Sequence, residues 1–215
     1  MTKKILITGA NGQLGHEMRN ALKGNNRFEC IFTDVAELDI CNAEAVKQII
    51  ADNHIDYIVN CAAYTQVDKA EDNAELCKKI NTDAVENLAR AAADYGARMI
   101  HISTDYVFNG RGYRPYTEDM VPDPQSVYGS TKLEGEKILT DICPESIIIR
   151  TAWLYSPYGN NFVKTMLHLG EEREELSVVA DQIGTPTCAA DLAQAILVIP
   201  VSYTHLRAHE TLRHL

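Results

Sequence analysis

Short apolar runs recur along this chain, with longer segments of helical periodicity between them. The runs are Ile5–Thr8, Cys30–Thr33, Tyr57–Asn60, Met99–Ser103, Ile147–Arg150 and Leu176–Val179, and they are apolar on both faces. Strands covered on both sides of a parallel sheet have this pattern. Leu14–Leu22, Ala43–Asp52, Ala74–Tyr95 and Ser126–Ile142 are each long enough for a helix, and Cys188–Ile199 reads as a further amphipathic helix that Pro200 should break. Asn42 is placed to cap the second helix, and Gly96 to stop the third. Strand and helix alternating in this way predict βαβ units and an α/β fold with a doubly wound parallel sheet. From Gly110 to Gln125 the glycines and prolines punctuate an irregular loop, of a length that is often functional.

In such sheets ligands sit beyond the carboxyl ends of the strands. The first of those ends is the most informative stretch of the chain. Thr8-Gly9-Ala10-Asn11-Gly12-Gln13-Leu14-Gly15 follows a strand and opens a helix, with glycines at 9, 12 and 15. A chain leaving a strand there must turn sharply, let a pyrophosphate approach its backbone, and aim helix N-terminal N–H groups at the anion. A ligand-free glycine turn would share some of this pattern. Strand before and helix after are the context expected of a dinucleotide site. Asp34 ends the second strand, where a carboxylate accepts hydrogen bonds from an adenosine ribose or simply ends a turn. Asp39 and Ile40 follow, placed either to edge an adenine ring or to pack a loop. Cys61-Ala62-Ala63-Tyr64 is small enough at its start for a cofactor to approach the backbone closely, as a tightly packed turn would also be.

Tyr128-Gly129-Ser130-Thr131-Lys132 is a YxxxK motif near the start of a helix. Residues four apart share a helical face, so phenol and ammonium can face one pocket. A free tyrosine has a pKa of about 10, and a neighbouring cation lowers it. The sequence therefore predicts Tyr128 as a general acid–base for carbonyl–alcohol interconversion, with Lys132 depressing its pKa. Thr104, just past the fourth strand, is placed to hydrogen-bond the substrate oxygen, and Asp105 to bond a sugar hydroxyl or cap a turn. Trp153, past the fifth, offers an apolar wall to a deoxysugar or nicotinamide, or fills core.

The bulk numbers narrow the partners. The 215 residues are 46% hydrophobic and 23% charged, with a net charge of −10. Nucleic acid and anionic membrane both need a basic surface and are not expected. No run approaches the ~20 apolar residues needed to span a bilayer, and the N-terminus lacks a signal-peptide pattern, so a cytoplasmic protein is expected. The six cysteines are scattered without CxxC, which predicts reduced thiols and neither a zinc site nor a disulfide framework. His205, His209 and His214 lie near the end with no carboxylate cluster beside them, so no metal is expected there. Residues 200–215 resemble translated adapter sequence and are set apart from fold reasoning.

The segments ITGANGQLG, VNCAAYTQVDKAE, HISTDYVFNG, VYGSTKLEGEK, IRTAWLYSPYGNNFVKTML and DQIGTPT resemble those of the extended short-chain dehydrogenase/reductases, and within them the dTDP-4-dehydrorhamnose reductase family. The resemblance runs from residue 4 to about 199. It implies a Rossmann-like domain over 1–153, the start of a small, incomplete C-terminal substrate domain over 154–199, and a tail over 200–215 outside the family. It implies reduction of dTDP-4-dehydro-L-rhamnose by NADPH or NADH, with Thr104, Tyr128 and Lys132 as the catalytic triad. Cofactor contacts would fall on the Gly9, Gly12 and Gly15 turn with Asn11, Gln13 and Leu14, then on Asp34, Asp39, Ile40, Ala62, Ala63, Tyr64, Tyr128 and Lys132. Sugar-nucleotide contacts would fall on Thr104, Asp105, Tyr128 and Trp153, and the full-length parent would be a candidate homodimer. Two rivals share the fold: another sugar-nucleotide epimerase or dehydratase, and a non-catalytic NADP-binding regulatory subunit. The Tyr128–Lys132 pair speaks against the second. Tyr106, standing where a dehydratase would carry Glu, speaks against a dehydratase.

Overall fold

In the computed structural model, which describes residues 2–178 and 182–202, the alternation of apolar runs becomes a five-stranded parallel sheet. Its strands are β1 (Lys3–Thr8), β2 (Phe28–Thr33), β3 (Tyr57–Asn60), β4 (Arg98–Thr104) and β5 (Ile147–Thr151), in the order β2-β1-β3-β4-β5. Every neighbouring pair is parallel. The chain leaves β1 for β2 on one side and returns to β3 on the other. The direction of winding therefore reverses between β1 and β3, and the crevice for ligands opens there.

Side chains alternate across the sheet and feed two cores. Leu6, Ile58 and Met99 point to a layer formed by α2 (Ala43–Asn53) and α5 (Ala84–Tyr95). Ile5, Ile7, Val59 and Ile100 point to the opposite layer, which holds Leu14 and Met18 of α1 (Gln13–Ala21) and Leu192, Ala193 and Ile196 of α8 (Ala189–Ser202). Burial on both faces is why the strands read as continuous apolar runs. The caps fall as predicted: the Asn42 side chain accepts from Ala45 N, and Gly96 ends α5 at φ 71°.

Five features differ from expectation. Leu176–Val178 forms no strand; its side chains are partly or largely exposed, and Val179 lies outside the described residues. A two-stranded pairing of β6 (Leu154–Tyr155) with β7 (Thr187–Cys188) occurs instead. The long helix foreseen over Ala74–Tyr95 is α4 (Ala74–Lys78), a π turn (Lys79–Asp83) and α5, with α3 (Val67–Asp72) before it. Between α6 (Val127–Ile142) and α8 lies an unforeseen α7 (Phe162–Glu172), whose N-cap Asn161 accepts from Lys164 N. Finally, α8 continues past Pro200 to Ser202, because the apolar face packed on β1 and β3 outweighs one lost helical hydrogen bond near its end.

The helix that carries the YxxxK motif is docked through glycines. A Cβ at Gly129 would lie 2.2 Å from Tyr106 O, and one at Gly135 would lie 2.3 Å from Asn81 O of the π turn. Both obstacles are backbone, so neither yields. Gly135→Ala is expected to destabilise the fold by about 1–3 kcal/mol through overpacking. Thermal unfolding reads this directly; an unchanged Tm would show that α6 is free to shift.

Candidate active site

The carboxyl ends of β1, β3, β4 and β5 surround a cavity of about 640 Å³. Among its walls are Asn11, Gly12, Gln13, Leu14, Ala63, Thr104, Asp105, Tyr128, Lys132 and Trp153. The structure thus brings together the glycine turn, the YxxxK pair and the post-strand residues that the sequence singled out separately.

The turn is shaped by close approach. Gly9 has φ 64°, and a Cβ there would lie 2.6 Å from Ala62 N in the loop after β3. A Cβ at Gly15 would lie 2.5 Å from Ala10 Cα. Gly12 is the N-cap of α1 and makes no side-chain cap hydrogen bond, so no side chain competes for the first-turn N–H groups. Asp34 braces the turn: its Oδ2 accepts from Asn11 N at 2.9 Å and its Oδ1 from Val35 N at 2.9 Å. Gly9, Gly15, Asp34, Ala62 and Tyr64 are not among the residues that line the cavity.

Asp39 and Ile40 are not brought to the cavity. The Asp39 carboxylate accepts from Cys41 N at 2.9 Å within its own turn. Ile40 is 8% exposed and packs in the core with Leu38 and Val46. Here an apolar residue after a loop Asp serves packing.

Tyr128 is buried beside Thr104, with the Tyr106 ring edge-on at 5.5 Å. Burial pushes its phenol up to about 12, the nearby Asp105, Tyr106 and Cys77 add to the rise, and a hydrogen bond with Thr104 opposes it. Thr104 Oγ1 also donates to Asp105 Oδ1 and accepts from Tyr106 N, each at 3.2 Å. Burial likewise raises the Asp105 carboxyl. The expected depression of the Tyr128 pKa by Lys132 is therefore not present, and the physical reason is where the lysine points. Its Nζ donates to Ile102 O at 2.7 Å and lies 3.1 Å from His101 Nε2. Lys132 is 1% exposed, and burial lowers it to about 8 against the opposing pull of Glu136 and Cys77.

Sequence reasoning passed over several residues that hold this site. Asn60 ends β3, and its Oδ1 accepts from Thr8 Oγ1 at 2.7 Å and Ala62 N at 3.1 Å, tying the glycine turn to the loop beside it. Asn81, brought inward by the π turn, clamps Tyr64 through both its backbone groups. Asn161 donates to Gln13 Oε1 at 2.9 Å, binding the loop before α7 to the first turn of α1. Trp153, which the sequence did single out, adopts φ 48°, an uncommon backbone conformation for a bulky residue, and packs near Phe162. The signal was a polar residue inside or ending an apolar run, as with Asn60 and His101.

His101 is fully buried, and burial first, then Lys132, holds its pKa well below 6.5. A group whose folded pKa is depressed stays neutral in the native state while the unfolded chain takes up a proton. Stability is then lost as pH falls below about 6.5, by about 1.4 kcal/mol per pH unit for this one group. Urea unfolding of the native chain and His101→Gln between pH 7 and 5 should show a shallower acid loss in the variant. Equal slopes would mean His101 takes up its proton in the fold.

Among the described residues no group of His, Cys, Asp and Glu is arranged to hold a metal ion, and no helix is long and apolar enough to cross a membrane. His205, His209 and His214 lie outside the described residues.

Parallel sheet, glycine turn, and a Thr, Tyr and Lys gathered on one cavity define a dinucleotide-binding oxidoreductase fold of the short-chain type. The chain belongs to the family described as RmlD substrate binding domain, whose model matches residues 3–214 and so runs across the segment set apart in the sequence. It is 45% identical over 196 residues to a dTDP-4-dehydrorhamnose reductase of Aggregatibacter actinomycetemcomitans, covering 91% of this chain and 67% of that one. It is 48% identical over 193 residues to the dTDP-4-dehydrorhamnose reductase of Escherichia coli K12, covering 88% of this chain and 64% of the relative. The chain thus spans about two thirds of the length of these curated relatives. A crystal structure of dTDP-4-dehydrorhamnose reductase from Bacillus anthracis in complex with NADP superposes with a TM-score of 0.93 at 42% identity, over 100% of this chain and 76% of that one.

Proposed function

We propose that this chain carries the cofactor-binding and catalytic part of a reductase that converts dTDP-4-dehydro-L-rhamnose to dTDP-L-rhamnose with a reduced nicotinamide cofactor. The observation that carries this reading is the single cavity shared by the glycine turn and the Thr104, Tyr128 and Lys132 side chains. Its relatives bear that reductase name, and the Bacillus anthracis relative holds NADP.

The residues fit such a cofactor. A Cβ at Gly9 would meet Ala62, and the first turn of α1 has no side-chain cap, so the turn offers N–H groups to a pyrophosphate. When bound, the cofactor supplies a hydride equivalent to the carbonyl carbon. The chain supplies the proton. Tyr128, held at about 12, is protonated at neutral pH, which is the form that reduction consumes at the substrate oxygen. Thr104 orients that oxygen, and Asp105 and Trp153 form the polar and apolar sides of the sugar site. Lys132 lines the same cavity and is placed to hold a ribose hydroxyl. Residues 154–199 begin the substrate-binding part.

Asp34 has lone pairs left after accepting from Asn11 and Val35, since a carboxylate offers about four acceptor sites. It accepts from the ribose of NADH and repels the extra phosphate of NADPH, so the reading predicts use of both cofactors with NADH unusually effective. In Asp34→Ala the preference should move toward NADPH. Catalytic efficiencies with the two cofactors decide this; a strong NADPH preference unaltered by Asp34→Ala would remove Asp34 from ribose recognition.

The reductase reading itself is tested by loss of reduced-cofactor absorbance when the keto sugar nucleotide is added. Constant absorbance at enzyme concentrations above substrate contradicts it.

A further inference from the structure

The segment between β6 and α7 is fastened along one face of α1. Gln13, His16 and Asn20 have the spacing of residues that share a helical face. The Tyr158 ring stacks on His16, with centroids 4.4 Å apart, and its hydroxyl accepts from Asn20 Nδ2 at 2.9 Å. Lys164 of α7 closes the segment on itself, its Nζ donating to Pro157 O at 3.0 Å and to Gly159 O at 2.7 Å. At Gly159, which has φ 63°, a Cβ would lie 3.2 Å from Gln13 Cγ.

Asn161 is the node of these contacts. Its Oδ1 accepts from Lys164 N at 3.0 Å as the cap of α7. A backbone N–H can only donate, so that contact fixes the oxygen end of the amide. The NH2 end has two donors, and they go to Ser156 O at 2.8 Å and to Gln13 Oε1 at 2.9 Å. Gln13 is the first residue of α1, and its own backbone N–H is among those the helix leaves for an anion. One residue thus meets a diphosphate through its main chain and holds Asn161 through its side chain. Aromatic rings flank the segment so held. Trp153 stands before it at φ 48° and Phe162 after it, their centroids 5.5 Å apart. Gln13, Asn161, Trp153 and Phe162 all line the one cavity.

We propose that Asn161 is a positioning residue that couples the two sides of the cavity, passing occupation of the glycine turn by a diphosphate on to the Trp153 and Phe162 wall. This coupling rests on the dinucleotide reading of the turn, and it adds a residue that neither the glycine motif nor the YxxxK motif contains. A diphosphate on the first N–H groups of α1 fixes the Gln13 backbone. The Gln13 amide then holds Asn161 in one place, and residues 154–162 are held with it. Coupling of this kind is reciprocal, so a ligand against the aromatic wall also favours an occupied turn.

Trp153 is the one tryptophan of the 215 residues, so its emission reads the wall directly. ADP is the probe: it brings adenosine and a diphosphate to the turn and has no nicotinamide to reach the indole. Calorimetry gives its affinity, and Trp153 emission gives the response of the wall. The native 215-residue chain should bind ADP with an emission shift of the same midpoint. Asn161→Ser keeps a side-chain oxygen for the cap, since serine caps a helix about as well as asparagine, and loses the reach to Gln13. It should bind ADP as the native chain does, with the emission shift lost. If Asn161 serves α7 alone, the shift persists in Asn161→Ser, and that result overturns the coupling. So does a native chain that binds ADP with no change in emission. Gln13→Met removes the acceptor and leaves the backbone N–H in place, which covers a failure of Asn161→Ser to fold. It too must lose the shift, and a retained shift overturns the coupling. A native chain that shows no heat of ADP binding strikes the dinucleotide reading itself and the coupling with it, an outcome set apart because it appears in calorimetry and not in emission alone.

Discussion

Tyr128→Phe should lower turnover of the keto sugar nucleotide about 100-fold or more while leaving cofactor affinity within a few-fold of the native value. Loss of a positioned acid–base group has that magnitude. The ring stays, so the edge-on contact with Tyr106 and the packing with Ala70 and Cys77 stay with it. What disappears is the hydroxyl beside Thr104 and the proton it holds at neutral pH. The kcat and KM should separate: a fall in kcat at little-changed KM marks an interaction made in the transition state. Near-native turnover would remove Tyr128 from the role of acid. A collapse of cofactor binding would instead make it a structural residue of the cavity wall.

The largest stability effect is expected at Glu136. Its Oε2 meets Arg150 Nη2 at 2.6 Å, and its Oε1 accepts from Ser103 Oγ and from Arg150 Nε. The Glu136 side chain is 5% exposed and that of Arg150 18%, so the pair is largely withdrawn from water. It also ties α6 to β4 and β5, one turn beyond Lys132 and directly under the site. Removing one partner of a buried ion pair leaves the other charge uncompensated, at a cost of about 3–5 kcal/mol. Glu136→Ala should move the urea midpoint accordingly with an unchanged m-value. The guanidinium also lies 5.1 Å over the Phe108 ring, so Phe108→Leu should add a smaller loss. A shift below about 1 kcal/mol in Glu136→Ala would place the pair among screened surface bridges.

Most of the sheet was legible because its strands are buried on both faces, and that burial writes itself as unbroken apolar runs. Leu176–Val179 shows the limit of the signal. A short apolar run has the same appearance whether or not a neighbour exists to pair with it, and Leu176 and Val178 remain partly exposed. α7 was missed for the opposite reason. It buries no residue fully, so its apolar positions looked like scattered surface residues, although Asn161 as a cap announced it. The π turn was illegible because one extra residue in a helical repeat leaves the periodicity of the segment almost intact. Its effect, turning Asn81 toward Tyr64 and Thr131, is purely tertiary.

The site divides along the same line. Gly9 and Gly15 were readable because only glycine permits their approaches, and Tyr128 with Lys132 because helical spacing puts them on one face. Ile40 was left between edging an adenine and packing a loop, and its side chain packs in the core, since an apolar residue after a strand serves both uses. The direction of the Tyr128 shift was misread because spacing alone does not tell where a lysine points. Lys132 reaches past the phenol to Ile102 O and His101, and that depends on two strands the motif does not contain.

Transfer of an isotope shows whether this cavity reduces a 4-keto sugar nucleotide. The chain, in excess over dTDP-4-dehydro-L-rhamnose, is incubated with reduced nicotinamide cofactor carrying deuterium at its transferable position, and the nucleotide sugar is examined by mass spectrometry. The expected product carries that deuterium together with one added proton, is formed by the native chain and is strongly suppressed in Tyr128→Phe. A nucleotide sugar rearranged at unchanged mass, or lighter by one water, with no deuterium taken up, would contradict it and place the chain among enzymes that use the same fold for another reaction.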